Sequence, residues 1–469
     1  MPPTNTPFNR SNPVAETTGR YLVLLKTDEI AEGIQTMNAV AGVGDVAHTA
    51  DFNDSAPDAS QLASDTPLLF DELSVAVVTM NPTQAQSLNV ASVSNSSVIA
   101  VEPERVVYAL SDSNWQLNMD GSPQPISPQD PNMSLDSTPL SISPEYLQGY
   151  RDAVNTLVDR LLDTNSSADI EGDDGGGTVL PNGSVTWGLQ KTRVDTSVYS
   201  GLGIKIAVLD TGFDLTHPDF FGRIITSQSF IEGEDVQDGN GHGTHCIGTA
   251  CGAQTPSTLP RYGIAYNAEI YAGKVLSNKG SGTDGGILAG INWAIANGCQ
   301  VISMSLGAYA APGQAFSMIY EQVGRRSLRR GSLIVAAAGN DSMRRFGVVE
   351  PVSHPANCPS IMAVAALSSN LKVASFSNGG INRKGGQVDI AAPGVDVYSS
   401  WPMPTRYNTI SGTSMATPHV AGLAALHCEA TGATGRELWA QLIQNAWRLS
   451  LTARDVGSGL AQAIDQAID

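Results

Sequence analysis

Cysteine is scarce in this chain, with 5 in 469 residues, and its scatter excludes a disulfide-stapled scaffold. Cys246 and Cys251 are close in sequence, but the remaining cysteines show no metal spacing, so no structural zinc is expected. Charged residues make up 15% and aromatic residues 6%, which is not the composition of a coiled coil or a wholly disordered chain. No apolar run reaches the roughly 18 to 20 residues needed to span a bilayer, so no transmembrane segment is expected. The opening Met1-Pro2-Pro3-Thr4-Asn5-Thr6-Pro7 lacks the basic and apolar stretches of a secretory signal. The expectation is therefore a cytoplasmic protein, or one exported by another route. Positive charge is missing from the front of the chain: residues 1 to 180 hold 25 Asp/Glu and 6 Lys/Arg, net −19, whereas the remainder holds 20 of each. Nucleic acid and anionic membrane are thus not expected as partners, since both would be repelled. Such a front half suits a solvated segment or one that docks on a basic surface.

What is present is 41% hydrophobic residues, 47 Gly and 26 Pro, the composition of a loop-rich globular protein. The length sets a prior of two or three domains. Residues 1–19 are polar and Pro-containing and are expected to be disordered. Residues 20–110 order as strand, helix 28–43, strand 74–79, short helix after Pro82 and strand from Val98, a small α+β unit with helices on one face of an antiparallel sheet. Residues 111–180 form an acidic linker by composition, interrupted by an amphipathic helix over about 144–162 in which Tyr146, Tyr150, Val154, Leu157 and Leu161 make one stripe. From 181 to 469, apolar runs at 204–209, 270–276, 301–306, 333–338 and 361–366 alternate with helical stretches, predicting an α/β domain with a mostly parallel sheet covered on both faces.

Three Gly-flanked polar clusters interrupt this pattern. Asp210-Thr211-Gly212 follows an apolar strand, at the carboxyl end where parallel sheets place their sites. In Asp238-Gly239-Asn240-Gly241-His242-Gly243-Thr244-His245 the glycines leave the His242 imidazole approachable, as a general base requires. His245 lacks that frame and reads as a packed core histidine. In Ser411-Gly412-Thr413-Ser414-Met415-Ala416-Thr417-Pro418, Pro418 marks a first helical turn and puts Ser414 at a helix N-terminus, which favours a developing oxyanion. Taken singly, each has a plain structural explanation: a turn-capping aspartate, a core histidine, a serine N-cap. Together they supply the carboxylate, imidazole and hydroxyl that activate a serine nucleophile. Their order, Asp then His then Ser, excludes the α/β-hydrolase and chymotrypsin arrangements.

Through these three motifs the sequence resembles the subtilisin family of serine proteases, over about residues 185–469. The resemblance implies a three-layer fold and an endopeptidase in which Asp210 orients His242, His242 takes the proton of Ser414, and Ser414 forms an acyl-enzyme. Ala336-Ala337-Ala338-Gly339-Asn340 resembles the segment whose asparagine, with the backbone N–H of Ser414, makes the oxyanion hole. Ser305-Leu306-Gly307 and Gly280-Ser281-Gly282 resemble the two edges of the substrate groove. Ala337, Ala338 and Gly339, with Ser353 at the pocket base, imply a roomy, mostly apolar first subsite, to which Asp341 adds some basic preference. Proteins or peptides are the implied substrates, with no cofactor for catalysis and a monomeric enzyme.

Residues 20–110 look like the family's propeptide, a ferredoxin-like intramolecular chaperone and inhibitor. Its last strand continues to Leu110, so autoprocessing is expected between Leu110 and Ser111. Arg325, Arg326, Arg329 and Arg330 are candidates to receive its acidic surface. Asp219 resembles a family calcium ligand whose partner loop is replaced here by residues 252–261. A structural calcium at Asp389 with the carbonyls of Pro359 and Ile361 fits the resemblance better. Cys246 follows the His motif as in the proteinase K branch and is expected to be a buried, inert thiol. Two other functions use the same residues: acyl transfer to an amine, as in a peptide cyclase or ligase, and a latent regulator whose front half never leaves the groove.

Overall fold

The computed structural model describes residues 16–53, 56–93, 97–110, 115–117, 123–125 and 184–464. Two compact units divide the chain, one of residues 1–115 with 182–469 and one of residues 116–181. In the second unit Gln116, Leu117 and Pro123–Pro125 are described, all in strand conformation. The helix expected over 144–162, most of the linker, and Ser111 lie outside the described residues.

The front of the first unit carries a βαββαβ pattern: β1 (Thr17–Leu25), α1 (Ile30–Ala41), β2 (Leu68–Phe70), β3 (Val75–Thr79), α2 (Pro82–Val93) and β4 (Val98–Ala109), in spatial order β4-β1-β3-β2, with the two residues Ala47–His48 pairing parallel with β2 at the edge. Strand β1 is apolar at every position from Leu22 to Leu25, the pattern of a strand covered on both faces. Val23 and Leu25 meet Met37, Ala41 and Leu88 of the helices. Leu22 and Leu24 point the other way, into a core shared with the carboxyl-terminal part of the chain. Strand β1 begins at Thr17, so residues 17–19 are ordered, contrary to the expected disordered segment 1–19. The cause is the long tail of β4, which offers a second edge: Val106 N donates to Glu16 O (2.9 Å) and Tyr108 Oη to Glu16 Oε2 (2.6 Å).

Residues 184–464 are built on seven parallel strands in the order β13-β12-β11-β9-β5-β7-β6. These are β5 (Lys205–Asp210), β6 (Ile225–Ser229), β7 (Glu269–Lys274), β9 (Val301–Met304), β11 (Leu333–Ala337), β12 (Met362–Leu367) and β13 (Ile390–Pro393). Alternate residues of the central strands serve opposite cores. Ala207, Leu209, Ile302 and Ile334 pack on α4 (Asp284–Ala296) and α5 (Met318–Arg329); Ile206, Val208, Val301 and Val335 pack on α3 (His242–Cys251) and α6 (Thr413–Thr431). This is a three-layer α/β fold.

Two short strands leave this sheet. The apolar run 301–306, read as one strand, divides: Val301–Met304 stays in the sheet, while β10 (Leu306–Gly307) turns outward. β10 and β8 (Ser281–Thr283) both pair antiparallel with the tail of β4. All five cysteines are free and buried. Among the described residues no helix is long and apolar enough to cross a membrane.

The docking of the front half uses helix N-termini as well as arginines. Glu102 Oε1 accepts from Met318 N (2.7 Å) and Ile319 N (3.2 Å) at the start of α5. Glu104 Oε1 accepts from Gly285 N (2.9 Å) at the start of α4, and Arg20 clasps the same carboxylate. Free N–H groups and the positive dipole end make these positions favourable for carboxylates. Of the four arginines, Arg326 donates to Leu25 O (3.1 Å) and Arg330 pairs with Glu72 (2.8 Å). Arg325 turns back to Glu321 on its own helix (2.6 Å).

Candidate active site

Asp210 is the last residue of β5 and His242 the first of α3, so one strand end and one helix start face each other. The close approach depends on glycine: a Cβ on Gly243 would lie 2.2 Å from Gly212 O. His242 Nδ1 lies 2.7 Å from Asp210 Oδ1, both side chains almost fully buried. A carboxylate only accepts, so Nδ1 carries the proton and, in the neutral ring, Nε2 keeps its lone pair. Asp210 Oδ2 and His242 Nε2 have no hydrogen-bond partner among the described residues.

Asp238 ties the two segments together. Its Oδ1 accepts from Thr211 Oγ1, Asn240 N and Gly241 N (2.8–3.0 Å), and its Oδ2 from Thr244 N and Thr244 Oγ1 (2.9 and 2.7 Å). On the far side, fully buried Lys274 of β7 donates to Thr211 O (2.5 Å) and Asn278 Oδ1 (2.8 Å). Neither residue stands out in the sequence as a site residue, although Asp238 lies inside the second Gly-framed cluster.

Ser414 is the second residue of α6, and Pro418 lies in the second helical turn rather than the first. Proline has no N–H to return to the carbonyl four residues back. That freed carbonyl of Ser414 accepts instead from Ser305 Oγ (2.7 Å), with Cys246 Sγ at 3.6 Å. Ser414 Oγ in turn contacts Ser305 O (3.1 Å) and Leu110 O (2.5 Å). His245 is buried against Trp401, with Nε2 3.0 Å from Val397 O, and burial lowers its pKa to about 3.

Asn340 follows β11. Thr413 N and Oγ1 donate to its Oδ1 at 2.9 and 2.8 Å. A backbone N–H can only donate, so this contact fixes the amide orientation and leaves Nδ2 for Leu110 O, 2.8 Å away. The second contact of that carbonyl is the Ser414 hydroxyl, where the backbone N–H of Ser414 was expected. The tail of β4 fills the groove as a strand: Thr283, Gly282 and Ser281 pair with Val106, Val107 and Tyr108, and Gly307 and Leu306 with Tyr108 and Ala109. Ala109 N donates to Gly280 O (2.9 Å) and Leu110 N to Ser305 O (3.4 Å).

Ala337 and Ala338 are fully buried at the end of β11, and Ser353 N donates to Ala338 O (2.9 Å). Gly339 has φ +108°, and a Cβ there would meet Ser353 Oγ at 2.2 Å. Asp341, expected to add basic preference, accepts at Oδ2 from Asn378 Nδ2 (2.8 Å) and Ser353 Oγ (3.2 Å).

Asp389 Oδ2 accepts from Ala363 N (2.7 Å), and burial pushes the carboxyl up to a pKa of about 7. With the carbonyls of Pro359 and Ile361 it would supply three of the six to eight oxygens that calcium takes. Asp219 is satisfied by protein donors: Ser257 N (2.7 Å), Tyr262 Oη (2.6 Å) and Tyr407 Oη (3.1 Å). Burial favours its neutral form, but these donors outweigh it and hold the carboxyl below its ordinary range. Tyr262→Phe removes one hydrogen bond to a buried carboxylate and is expected to cost about 1–3 kcal/mol, read as a lowered Tm in thermal unfolding.

The model of the subtilase family matches residues 201–463. The chain belongs to the subtilase family. It is 41% identical to Subtilisin DY of Bacillus licheniformis over 239 residues, 51% of this chain and 81% of that one. Over 247 residues, 52% of this chain, it is 43% identical to Subtilisin Savinase of Lederbergia lenta and to an alkaline protease of Alkalihalobacillus alcalophilus, covering 84% and 59% of them. This subtilase is a serine-type endopeptidase. The relatives carry the names of subtilisins and proteases, and nothing in them favours acyl transfer or a latent regulator.

The electrostatics of the subtilase site predict its pH dependence. Burial presses His242 toward neutrality, but Asp210 outweighs it and holds the imidazole pKa well above 6.5. A general base works in its neutral form, so His242 in that role predicts that kcat/KM rises with pH through its pKa, with a midpoint above 6.5. Asp210→Asn removes that cause and should move the midpoint down while lowering kcat about 10⁴-fold. Profiles of kcat/KM from pH 5 to 10 for both proteins read the shift.

Proposed function

We propose that this subtilase is made as a self-inhibited precursor and that its first substrate is its own Leu110–Ser111 bond. The observation that carries the reading is the Leu110 carbonyl, held by Asn340 Nδ2 at 2.8 Å with Ser414 Oγ at 2.5 Å. Residues 20–110 then act as propeptide and inhibitor, and 181–469 as the catalytic domain. Ser414 Oγ attacks the carbonyl carbon and its proton passes to His242 Nε2, the buried nitrogen left without a partner. Asp210 stabilises the imidazolium that forms, and the Asn340 amide stabilises the oxyanion. The C–N bond breaks as His242 returns the proton to the leaving amine. Water, deprotonated by His242, then releases the acyl group from Ser414.

Other proteins enter as the tail does, as an extended segment between β8 and β10 held by main-chain hydrogen bonds. Leu110 precedes the cut in this chain, and its side chain lies against Gly307, where a Cβ would touch Cδ1 at 3.1 Å. The test is the intact mass of the purified chain, with casein hydrolysis followed alongside. Fragments 1–110 and 111–469 and casein digestion are expected. A chain that stays whole and inert overturns the reading in favour of a latent regulator. Transfer of the Leu110 acyl group to an added amine, seen as product mass, would replace hydrolysis by ligation.

A further inference from the structure

Asp284, the first residue of α4, is fully buried yet belongs to none of the functional residues above. Its Oδ1 lies 3.0 Å from His354 Nε2. That histidine is pinned by two backbone hydrogen bonds to Ala308 (2.8 and 3.0 Å) and by the Tyr320 ring, 4.6 Å away edge to face. Tyr320 Oη donates to the Asp284 carbonyl (3.1 Å). One carboxylate oxygen is therefore committed to the enzyme's own frame. The other, Oδ2, faces the strand that fills the groove and accepts from Arg105 N (3.0 Å) and Arg105 Nη1 (3.3 Å).

Strand pairing makes this more than an accident of docking. Thr283 pairs with Val106, so Asp284 comes level with Arg105 by register, and Arg105 is the sixth residue back from the Leu110 carbonyl. We propose that Asp284 is a binding subsite for a basic side chain six residues before the scissile bond, so that this subtilase prefers substrates with Arg or Lys there. The inference rests on the reading that substrates occupy the groove as the β4 tail does. The backbone contact is available to any residue other than proline; the side-chain contact is where selection enters. With the β4 tail in place this carboxylate is fully buried, which is costly unless it is paired, and a substrate cation completes its pairing as Arg105 does. Although burial alone would favour the neutral acid, His354 and Arg105 hold the Asp284 carboxyl below its ordinary range. Arg105 also reaches Glu102 (3.2 Å), a contact that a substrate without that carboxylate does not need.

The test uses the purified full-length chain after self-processing and chromogenic peptides X-Val-Val-Tyr-Ala-Leu-p-nitroanilide, with X as Arg, Lys, citrulline or Glu. Citrulline keeps the shape of arginine without its charge. With the native enzyme, kcat/KM for Arg and Lys should exceed that for citrulline by about tenfold, the order of one charge-assisted hydrogen bond. Glu should be poorer still, with the differences carried by KM. The Arg-to-citrulline ratio should fall toward one in Asp284→Asn and shrink at 1 M NaCl. If that variant does not fold, the native series alone decides. Equal rates on Arg, citrulline and Glu overturn the subsite while leaving the protease reading intact. Hydrolysis of none overturns the groove reading and the subsite with it.

Discussion

The Ser414→Ala chain should remain whole at 469 residues and leave casein untouched, whereas the native chain divides after Leu110. The substitution removes the one atom that can bond to the Leu110 carbonyl carbon and little else. Its hydrogen-bonding role is small, since among the described residues Ser414 Oγ bonds only Ser305 O besides that carbonyl. The Ser305 Oγ contact to the Ser414 backbone, the Asp210–His242 pair and Asn340 all survive it. A loss of about 10⁶ in kcat is the size found when a serine triad loses its nucleophile. Unchanged thermal unfolding beside that loss assigns the effect to chemistry rather than folding. A mutant chain cut after Leu110 would remove Ser414 from the nucleophile's role.

Asn340→Ala should lower kcat by about 10²–10³, or roughly 3–4 kcal/mol of transition-state stabilisation, with KM little changed. The oxygen of Leu110 becomes more negative as its carbon turns tetrahedral, so a donor already 2.8 Å away gains most at that moment. Asn340→Asp is the sharper probe. It keeps an acceptor for Thr413 N and Oγ1 but places a carboxylate oxygen against the developing charge. The aspartate variant should therefore be slower than the alanine one, a ranking that no packing account of Asn340 supplies. Should KM rise while kcat holds in both, Asn340 serves ground-state binding alone.

Legibility in the sequence followed the range of the interaction. The motifs of Asp210, His242 and Ser414 read easily because each is local, framed by glycines that permit close backbone approach. Five parallel strands read as apolar runs because both their faces are buried. The edge strand Ile225–Ser229, sequence ITSQS, is polar enough to pass for a loop, and Ile390–Pro393 is only four residues long. The start of β1 at Thr17 and the division of the 301–306 run depend on partners elsewhere in the chain, which no local pattern encodes. Asp284, His354 and Arg105 were illegible for the same reason: 70 residues separate the first two and 179 separate Asp284 from Arg105. Pro418 was legible as helix punctuation but misplaced by a turn, because the hydroxyl of Ser305 takes the carbonyl that proline leaves free.

Strand β4 belongs to two bodies at once: one end is sewn into the front sheet and the other lies in the groove. On the self-processing reading, cutting after Leu110 leaves every one of those pairings in place and changes only the chain's connectivity. Occupancy of the groove, until then independent of concentration, becomes a bimolecular equilibrium. The first product is thus also the first competitor, and dilution rather than the cut starts the enzyme. Activity should therefore appear after a lag that shortens on dilution and on addition of a trace of active enzyme to digest the released fragment.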